Sequence, residues 1–542
     1  MKKLLLLSIA LVASFSVMAA ECVIVPRPLS YEPQKGKLSL TSKTVVYAAD
    51  KALVRPATMF CSYVAAEKDL KISVAEGTPK SKGAIVLLID KALGEEEYQL
   101  DVTKKGVVIK GGSEKAVFYG LQSLRQVVFH SKGNGKKVAV ECMTVKDKPH
   151  FGYRGGMLDV CRHIFSVDDV KKYIDILALH KANRFHWHLT EDQGWRIEIK
   201  KYPELTKVGS MRSETAIYKT NPKNGRTMIA GYDGKPYGGY FTQEQVRDIV
   251  RYATERYIEV IPEIDMPGHM VAALASYPEL GCRDEKFEVR TRWGISKDVL
   301  CVGKETSFKF VEEVLAEVIE LFPSKYIHIG GDESPRDRWK ECPHCQARIK
   351  AEGLKDENEL QSYFMHRVEK WLSEHGRRII GWDEIIKGGI NKSATIMLWN
   401  DSQRQKATTL GNDVILSPKY FCYFDYFQTT RPYVNREGTL FKDRILTLRK
   451  AYSLNPYENL KPEEYKHIKG VQANLWTEYI STFDKVQVKL LPRLAATCEA
   501  AWTSADKKDF KDFARRLEYM RKLYDKEGYK YATYFFDGVD EY

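Results

Sequence analysis

Short apolar runs alternate with amphipathic stretches along most of the chain after Tyr153. Eight of these runs have the length and composition of β-strands, and they lie near residues 154–159, 183–189, 257–264, 326–330, 377–382, 394–399, 413–416 and 470–476. Stretches with helical spacing lie between several of them. Eight strands that alternate with helices over roughly 350 residues predict an α/β fold, a (β/α)8 TIM barrel with insertions.

Polar residues mark where several of the barrel helices begin. Ser166 precedes a helical stretch that runs to about Lys181, and Thr242 with Gln245 has the spacing of a capping box. Further helices are predicted over 306–322 and 358–374, and long inserted loops over 201–240 and 425–468.

The first part of the chain has a different pattern. Residues 98–102 and 106–110 alternate apolar and polar side chains around Lys104-Lys105, which predicts a hairpin, and residues 113–129 have helical spacing. We therefore expect a small α+β domain over residues 21–148, the barrel over 149–505 and a C-terminal helical extension over 506–542.

Residues 1–20 have the pattern of a secretory signal peptide. Two lysines precede an apolar run from Leu4 to Val17, and small residues follow it. The run is too short for a transmembrane helix, and no later run is long and apolar enough to be one. We expect an exported protein, periplasmic or secreted. Cys22 leaves open an outer-membrane lipoprotein, although Glu21 directly before it fits that signal poorly.

Composition excludes some classes of protein. The 85 Lys and Arg residues exceed the 72 Asp and Glu residues by 13, and a basic surface can bind nucleic acid or acidic polysaccharide. Here the positive charge is spread along the chain without an arginine-rich run or a zinc-finger pattern, so we expect no nucleic-acid partner. An apolar content of 44% supports a large core and excludes a disordered chain.

Ten cysteines are present. In an exported protein, Cys282 and Cys301 are good candidates for a disulfide, because they flank a loop that contains Trp293. Cys342-Pro343-His344-Cys345 is a lone C-x-x-C sequence, and a zinc ribbon would need a second such pair, which the chain lacks. A local disulfide or free thiols with a structural role is the favoured interpretation.

Polar side chains and tryptophans follow nearly every predicted barrel strand. The groups are Asp159, Arg162 and His163; His186, Trp187, His188, Glu191, Asp192 and Gln193; Glu263, Asp265 and His269; Asp332 and Glu333; Trp382, Asp383 and Glu384; Trp399; Tyr423 and Asp425; and Trp476 and Glu478. A single acidic strand end is usually a cap, but so many at one rim indicate an active site. The tryptophans could plug the barrel, or they could stack on sugar faces while carboxylates bind hydroxyls.

Asp332 and Glu333 are adjacent carboxylates that follow an apolar strand and two glycines. In glycoside hydrolysis, two carboxyl groups usually flank the bond that breaks. Neighbouring residues at one strand end can hardly reach opposite faces of a sugar. One should therefore be the proton donor and the other should orient a substrate group, which leaves the nucleophile to the substrate or to a distant strand.

Two other functions are compatible with some of the same residues. His186 and His188 lie on the same side of a strand, and with His269, His328 and Asp332 they could bind a catalytic metal, or they could be simple hydrogen bonders. A sugar-binding protein without activity would need the acid replaced, yet Glu333 is present. We expect no catalytic metal and no cofactor.

Six sequence motifs resemble those of family 20 glycoside hydrolases, the β-N-acetylhexosaminidases, across about residues 22–505. They are Arg162-His163, residues 188–196, residues 262–269, residues 328–333, Gly381-Trp382-Asp383-Glu384 and Trp476-Thr477-Glu478. The resemblance implies an exo-acting enzyme that removes terminal N-acetylglucosamine or N-acetylgalactosamine from glycans or chitooligosaccharides. It also implies retention at the anomeric carbon through an oxazoline-type intermediate.

The resemblance also assigns roles to individual positions. Glu333 resembles the general acid/base, and Asp332 the residue that orients the 2-acetamido group. The substrate-binding positions implied are Arg162, Glu191, Asp265, His269, Trp382, Trp399, Tyr423, Asp425, Trp476 and Glu478. Among them, Arg162 resembles the arginine that holds ring hydroxyls, and Tyr423 the tyrosine that hydrogen-bonds the acetamido carbonyl. One departure is visible: many members have Asp-Asp where this chain has Glu191-Asp192.

Overall fold

The structure is a computed structural model that describes residues 21–79, 82–220, 227–429 and 444–539. The predicted signal peptide, residues 1–20, lies outside these ranges. Among the described residues, no helix combines the length and the apolar character that crossing a bilayer requires.

The N-terminal domain is a mixed sheet with two long helices. Its seven strands lie side by side in the order Ser30–Thr41, Lys137–Asp147, Tyr98–Thr103, Gly106–Gly111, Ile85–Ile89, Val45–Ala48 and Ser73–Glu76. The helices Val54–Lys68 and Glu114–His130 pack on each other and on the sheet. The predicted hairpin forms as an antiparallel pair, so the expected α+β domain is confirmed.

Eight parallel strands close into the predicted barrel. In chain order they are Tyr153–Asp159, Arg184–His188, Glu259–Glu263, Tyr326–His328, Arg378–Trp382, Thr395–Leu398, Asp413–Leu416 and Ile468–Leu475, and each pairs with the next. The last strand pairs with the first. All eight predicted strands are therefore confirmed, and their carboxyl ends lie at one rim.

Helices cover the outside of the barrel. They are Val167–Leu179, Gln243–Thr254, Glu305–Leu321, Glu357–Glu374, Arg404–Thr409, Phe483–Leu490 and Arg493–Trp502. Ser166 and Thr242 both form capping boxes, as their spacing predicts. Each hydroxyl accepts a hydrogen bond from a backbone N–H of the first turn, which would otherwise have no partner in the helix.

The inserted loops contain short elements of their own. These are the strands Thr190–Glu191, Gly194–Trp195, Met211–Arg212, Ala216–Thr220, Thr227–Tyr232 and Tyr237–Gly238, with the helices Glu204–Lys207, Val271–Ser276, Asp337–Glu341, Pro343–Ala351, Lys419–Cys422 and Leu448–Tyr452. Short 3-10 segments, in these loops and elsewhere in the chain, lie at Lys51–Leu53, Pro278–Leu280, Asp383–Ile386, Asp401–Gln403, Pro462–His467 and Ala505–Lys507. Both segments predicted as loops thus carry helices or strands in their described parts.

The N-terminal domain packs on the amino-terminal ends of the first two barrel strands. Arg154, near the start of its strand, donates to both carboxylate oxygens of Glu96 at 3.1 Å. Lys181, just before the next strand, is fully buried, and its Nζ donates to Ser123 Oγ at 2.8 Å. This interface leaves the opposite rim, where the strands end, open for a site.

The C-terminal helix Phe510–Glu527 belongs to the body of the molecule. Arg516 is fully buried and donates to the two carboxylate oxygens of Glu499 at 2.7 and 2.6 Å. A buried pair with two parallel hydrogen bonds fixes both distance and orientation. The helix is therefore attached to the barrel by specific contacts.

The expected disulfide between Cys282 and Cys301 does not form. All ten cysteines lie in the described ranges and all are free thiols. The Cys301 sulfur instead lies 3.6 Å from both Cys342 and Cys345, so the loop cysteines meet the C-x-x-C sequence in space.

Candidate active site

The backbone after the strand Tyr326–His328 turns sharply before the acidic pair. Gly330, Gly331 and Glu333 have φ values of 64°, 97° and 40°. A Cβ on Gly330 would lie 1.7 Å from the Asp265 carboxylate, so only glycine fits. The N–H of Gly331 donates to the same carboxylate at 3.3 Å. This turn directs Asp332 and Glu333 out of the barrel.

A cavity of about 590 Å³ opens at this rim. Eleven of the predicted site residues line it: Arg162, Glu191, Asp265, His269, Asp332, Glu333, Trp399, Tyr423, Asp425, Trp476 and Glu478. They come from the ends of the first four, the sixth, the seventh and the eighth strands. The volume is in the usual range for small-molecule sites.

Trp382 does not line the cavity, which corrects the expectation that it forms a wall. Its side chain is 1% exposed and belongs to the apolar interior of the barrel with Ile380 and Met397. Its Nε1 donates to Glu263 Oε1 at 2.8 Å, and its ring lies 5.8 Å from that of Trp476. Trp382 therefore supports the cavity from below.

Three aromatic rings form one wall of the cavity. Tyr423 lies between the others, with its ring centroid 6.5 Å from Trp399 and 6.2 Å from Trp476. Trp399 is oriented by a 2.9 Å hydrogen bond from its Nε1 to Glu384. Burial raises the pKa of the Tyr423 phenol well above its usual value, so the hydroxyl stays protonated.

Asp332 and Glu333 have different environments although they are neighbours. The side chain of Asp332 is 15% exposed and that of Glu333 is 39% exposed. Asp332 Oδ1 is buried and has no hydrogen-bond partner within the described part of the chain. Burial raises the pKa of Asp332 to about 8, and nearby His269 lowers it only in part. The site therefore contains an acceptor atom that only a ligand or water can satisfy.

His269 connects Glu191 to the acidic pair. Its Nδ1 lies 2.7 Å from Glu191 Oε1, and its Nε2 lies 3.6 Å from Glu333 and 3.8 Å from Asp332. Burial lowers the pKa of His269, but the Glu191 and Glu333 carboxylates outweigh that effect and hold the pKa well above its usual range. A protonated imidazole thus lies beside both carboxylates.

Arg162, which also lines the cavity, is held by several partners. It donates to Gln193 at 3.1 Å and to Asp159 at 3.2 Å, and it lies 3.3 Å from Glu191. Its guanidinium lies over the Trp476 ring at 5.1 Å from the centroid. These four partners restrict the orientation of its planar guanidinium.

Asp425 and Glu478 line the same side of the cavity as Arg162. Burial raises the pKa of Asp425 to about 7, and the Glu478 carboxylate adds to the shift. Burial likewise raises the pKa of Glu478, while Arg162 acts in the opposite direction. Both carboxyl groups are thus suited to exchange hydrogen bonds with neutral hydroxyls.

The residues of the metal hypothesis do not share one site. His186, His188 and His328 surround Glu263 inside the barrel, whereas His269 and Asp332 lie in the cavity. His188 donates to Glu263, and these two form a buried ion pair because the Glu263 carboxylate holds the pKa of His188 at about 10 despite burial. The three barrel histidines are therefore grouped around one buried carboxylate, to which His188 is hydrogen-bonded.

Comparison with known proteins identifies the family. Residues 151–505 match glycosyl hydrolase family 20, catalytic domain, and residues 21–148 match glycosyl hydrolase family 20, domain 2. The chain belongs to glycosyl hydrolase family 20. It is therefore a glycoside hydrolase by family, with the barrel as its catalytic domain.

Several family 20 proteins resemble the chain along most of its length. The beta-hexosaminidase of Porphyromonas gingivalis is 44% identical over 520 residues, which are 94% of this chain and 64% of that protein. The beta-hexosaminidase of Akkermansia muciniphila is 33% identical over 80% of this chain and 84% of its own. The solved structure of the GH20 exo beta-N-acetylglucosaminidase from Vibrio harveyi with N-acetylglucosamine has a TM-score of 0.82, 29% identity, and coverage of 94% of this chain and 78% of that one.

The outer wall of this family 20 site is formed by residues other than those predicted at the ends of the barrel strands. They are Tyr218, Thr227, Trp293, Gly294, Ile295, Lys419, Tyr426, Arg444 and Tyr479. Trp293 lies parallel to Tyr218 at an interplanar angle of 11°, and both belong to inserted loops. The sequence signal that could have found Trp293 is its place in a loop between Cys282 and Cys301.

Replacing Asp332 with asparagine should stabilise the protein at high pH. The folded-state pKa of about 8 exceeds the ordinary 3.8, so folding favours the neutral carboxyl and its contribution to stability declines as pH rises from about 4 to about 8. Asparagine cannot ionise. We expect Asp332→Asn to gain about 1–3 kcal/mol over the native protein at about pH 8, and much less at about pH 5.

The measurement is unfolding by denaturant at both pH values. Asp284→Asn is the control, because Asp284 is an exposed aspartate outside the cavity. An equal stability difference at the two pH values would contradict the raised pKa of Asp332.

Proposed function

We propose that the chain is an exo-acting β-N-acetylhexosaminidase that hydrolyses terminal non-reducing N-acetylglucosamine or N-acetylgalactosamine from glycans, with retention. The observation that carries this function is the pair of adjacent carboxylates, one buried and one exposed, on a cavity with an aromatic wall. A substrate whose own acetamido group acts as nucleophile needs such a pair.

Glu333 supplies the proton. Its more exposed carboxyl lies at the open side of the cavity, where a leaving group can depart, and protonated His269 lies 3.6 Å away. In the first step the acetamido oxygen attacks C1, the bond from C1 to the leaving oxygen breaks with its electron pair, and Glu333 gives that oxygen a proton. In the second step water attacks C1, Glu333 takes its proton, and the oxazoline ring opens. Two inversions give retention.

Asp332 holds the acetamido group in the reacting position. Its unpartnered Oδ1 accepts the amide N–H, and the hydrogen bond favours the ionised carboxylate. As the acetamido oxygen attacks, positive charge develops on the nitrogen beside Asp332. The protonated Tyr423 hydroxyl donates to the acetamido oxygen, and the rings of Trp399 and Trp476 enclose the methyl group.

The other polar residues recognise one terminal sugar. Arg162, Asp425 and Glu478 bind hydroxyls of the non-reducing residue, and Asp265, His269 and Glu191 position the acidic pair. The Vibrio harveyi structure contains N-acetylglucosamine, which supports this class of ligand for the present chain.

Glu333→Gln should lose most turnover on an unactivated disaccharide, by about 10²–10⁴-fold, because the leaving oxygen loses its proton donor. Aryl substrates with good leaving groups should lose much less. The measurement is kcat/KM on both substrate types, with the exposed Glu374→Gln as the control. Near-normal turnover of the disaccharide would show that Glu333 is not the acid.

A thiazoline analogue of the cyclised intermediate should inhibit at least about 10²-fold more tightly than N-acetylglucosamine, because it resembles the state that the site stabilises. Asp332→Asn should remove most of this advantage, since the charged nitrogen loses its partner. The measurement is the inhibition constant of each compound with each enzyme. Equal inhibition by the two compounds would argue against substrate assistance.

We also propose that the chain is exported, on the basis of the signal-like pattern of residues 1–20. The exported form begins after Ala19 or Ala20. Cell fractionation with mass determination of the N-terminus measures this, and an intact Met1 in the cytosol would contradict it. A lipid on Cys22 would indicate the lipoprotein form instead of a free protein.

A further inference from the structure

Four cysteines from separate places in the chain meet beside the active-site loops. Cys282 follows the 3-10 turn Pro278–Leu280, and Cys301 lies 19 residues farther on. Cys342 and Cys345 lie at the start of the helix Pro343–Ala351. Cys282 is half-buried and the other three are buried.

The distances between these sulfur atoms are those of a metal site. Cys301 Sγ lies 3.6 Å from both Cys342 Sγ and Cys345 Sγ, and Cys282 Sγ lies 3.8 Å from Cys345 Sγ. All four sulfurs lie within 4.8 Å of one another. In a tetrahedron with Zn–S bonds of about 2.3 Å the sulfurs are about 3.8 Å apart, whereas a disulfide needs about 2.05 Å.

We propose that Cys282, Cys301, Cys342 and Cys345 bind one Zn²⁺ in a closed tetrahedral site. Cys301 has two sulfur neighbours at the same distance and so has no preferred disulfide partner. A single central ion explains that symmetry better than two separate bonds do. The site has no open position for substrate, so its role is structural.

The backbone around the four sulfurs is arranged to hold them. The N–H of Cys301 donates to Leu280 O at 2.8 Å, and Gly281 pairs with Leu300, which brings Cys282 and Cys301 together. Gly303 packs directly on the C-x-x-C turn, because a Cβ there would lie 2.2 Å from the His344 carbonyl carbon. Both pairs of ligands are therefore fixed by main-chain contacts.

A backbone donor and a positive side chain lie beside the cluster. The N–H of Gly303 donates to the Cys301 sulfur. Lys304 donates to the Gly281 carbonyl at 2.8 Å, which places a positive charge beside the cluster. A thiolate is the form of cysteine that binds metal.

The Zn²⁺ ion would hold in place the loop that forms the outer wall of the active site. Cys282 and Cys301 lie at the two ends of the loop that carries Trp293 and Ile295 into the cavity. Cys342 and Cys345 follow the segment that begins at Glu333. The indole of Trp339 in that segment donates to Leu300 O at 3.0 Å. One ion would thus connect the loop of Trp293 to the segment after the catalytic pair.

Metal content of the isolated chain tests the site without reference to its substrate. The chain is purified without reductant or chelator and measured by native mass spectrometry and by zinc release after thiol modification. We expect one Zn²⁺ per chain, and all four cysteines reduced after denaturation. Two disulfides without metal, or four free thiols without metal, would overturn the proposal.

Single-residue variants distinguish the loss of zinc from a general loss of folding. Cys345→Ser should lose the zinc, lower the melting temperature and raise KM for a disaccharide more than it lowers kcat, since the wall of Trp293 shifts. Cys345→His keeps a ligand atom and should retain the metal. Cys142→Ser changes a buried cysteine outside the cluster and should keep full zinc.

Cobalt gives an independent readout if Cys345→Ser does not fold. The native chain, reduced, stripped of metal and loaded with Co²⁺, should show the visible bands of a tetrahedral thiolate complex. Absence of these bands, or zinc retained at full occupancy in Cys345→Ser, would contradict the four-cysteine assignment. Neither the zinc content nor the Co²⁺ spectrum depends on hexosaminidase activity, so both test the metal site even if the proposed function is wrong.

Discussion

One buried carboxylate holds the carboxyl half of the barrel together. Glu263 has no exposed surface, and a charge in such a place is tolerated only when it is paired and hydrogen-bonded. Trp382 donates to one oxygen at 2.8 Å, and the other oxygen accepts from protonated His188 and lies 2.9 Å from His186. These partners come from other strands, so one group fixes the relative positions of several strand ends. The position of Trp382, which packs beneath the cavity, depends on that arrangement.

Nearby carboxylates, Glu263 among them, also affect the pKa of Asp332. Burial is the main reason that the pKa of Asp332 is raised, and the carboxylates of Glu384, Glu333 and Glu263 add to it. In the proposed function, a substrate amide that donates to Asp332 would favour the ionised carboxylate. Because the backbone turns at Gly330 and Gly331, the side chain of Asp332 is 15% exposed whereas that of its neighbour Glu333 is 39% exposed. In the proposed function, the lower exposure of Asp332 suits it to the acetamido group, and the higher exposure of Glu333 suits it to proton transfer.

The fold and most of the site could be predicted because they follow from periodic patterns. Apolar strands alternate with amphipathic helices, and parallel strands bring their carboxyl ends to one rim, so Arg162 and Glu478 could be placed together although they are far apart in sequence. Trp382 shows the limit of that reasoning. It ends its strand as expected, but position along a strand does not tell whether a side chain reaches the cavity or fills the barrel beneath it.

Loops without periodicity could not be placed by the same means. Trp293 and Tyr218 stack across the cavity mouth, but no pattern in their own segments specifies that contact. Cys282 and Cys301 flank the loop that contains Trp293, which favours a disulfide from the sequence alone, whereas in the structure Cys342 and Cys345 belong to the same cluster. Such loops lack the apolar stripe that anchors a helix to the core, so their position must come from specific contacts. The proposed tetrahedral ion at the base of the Trp293 loop would supply four such contacts at once, and it would connect the wall formed by Trp293 to the segment that carries Glu333.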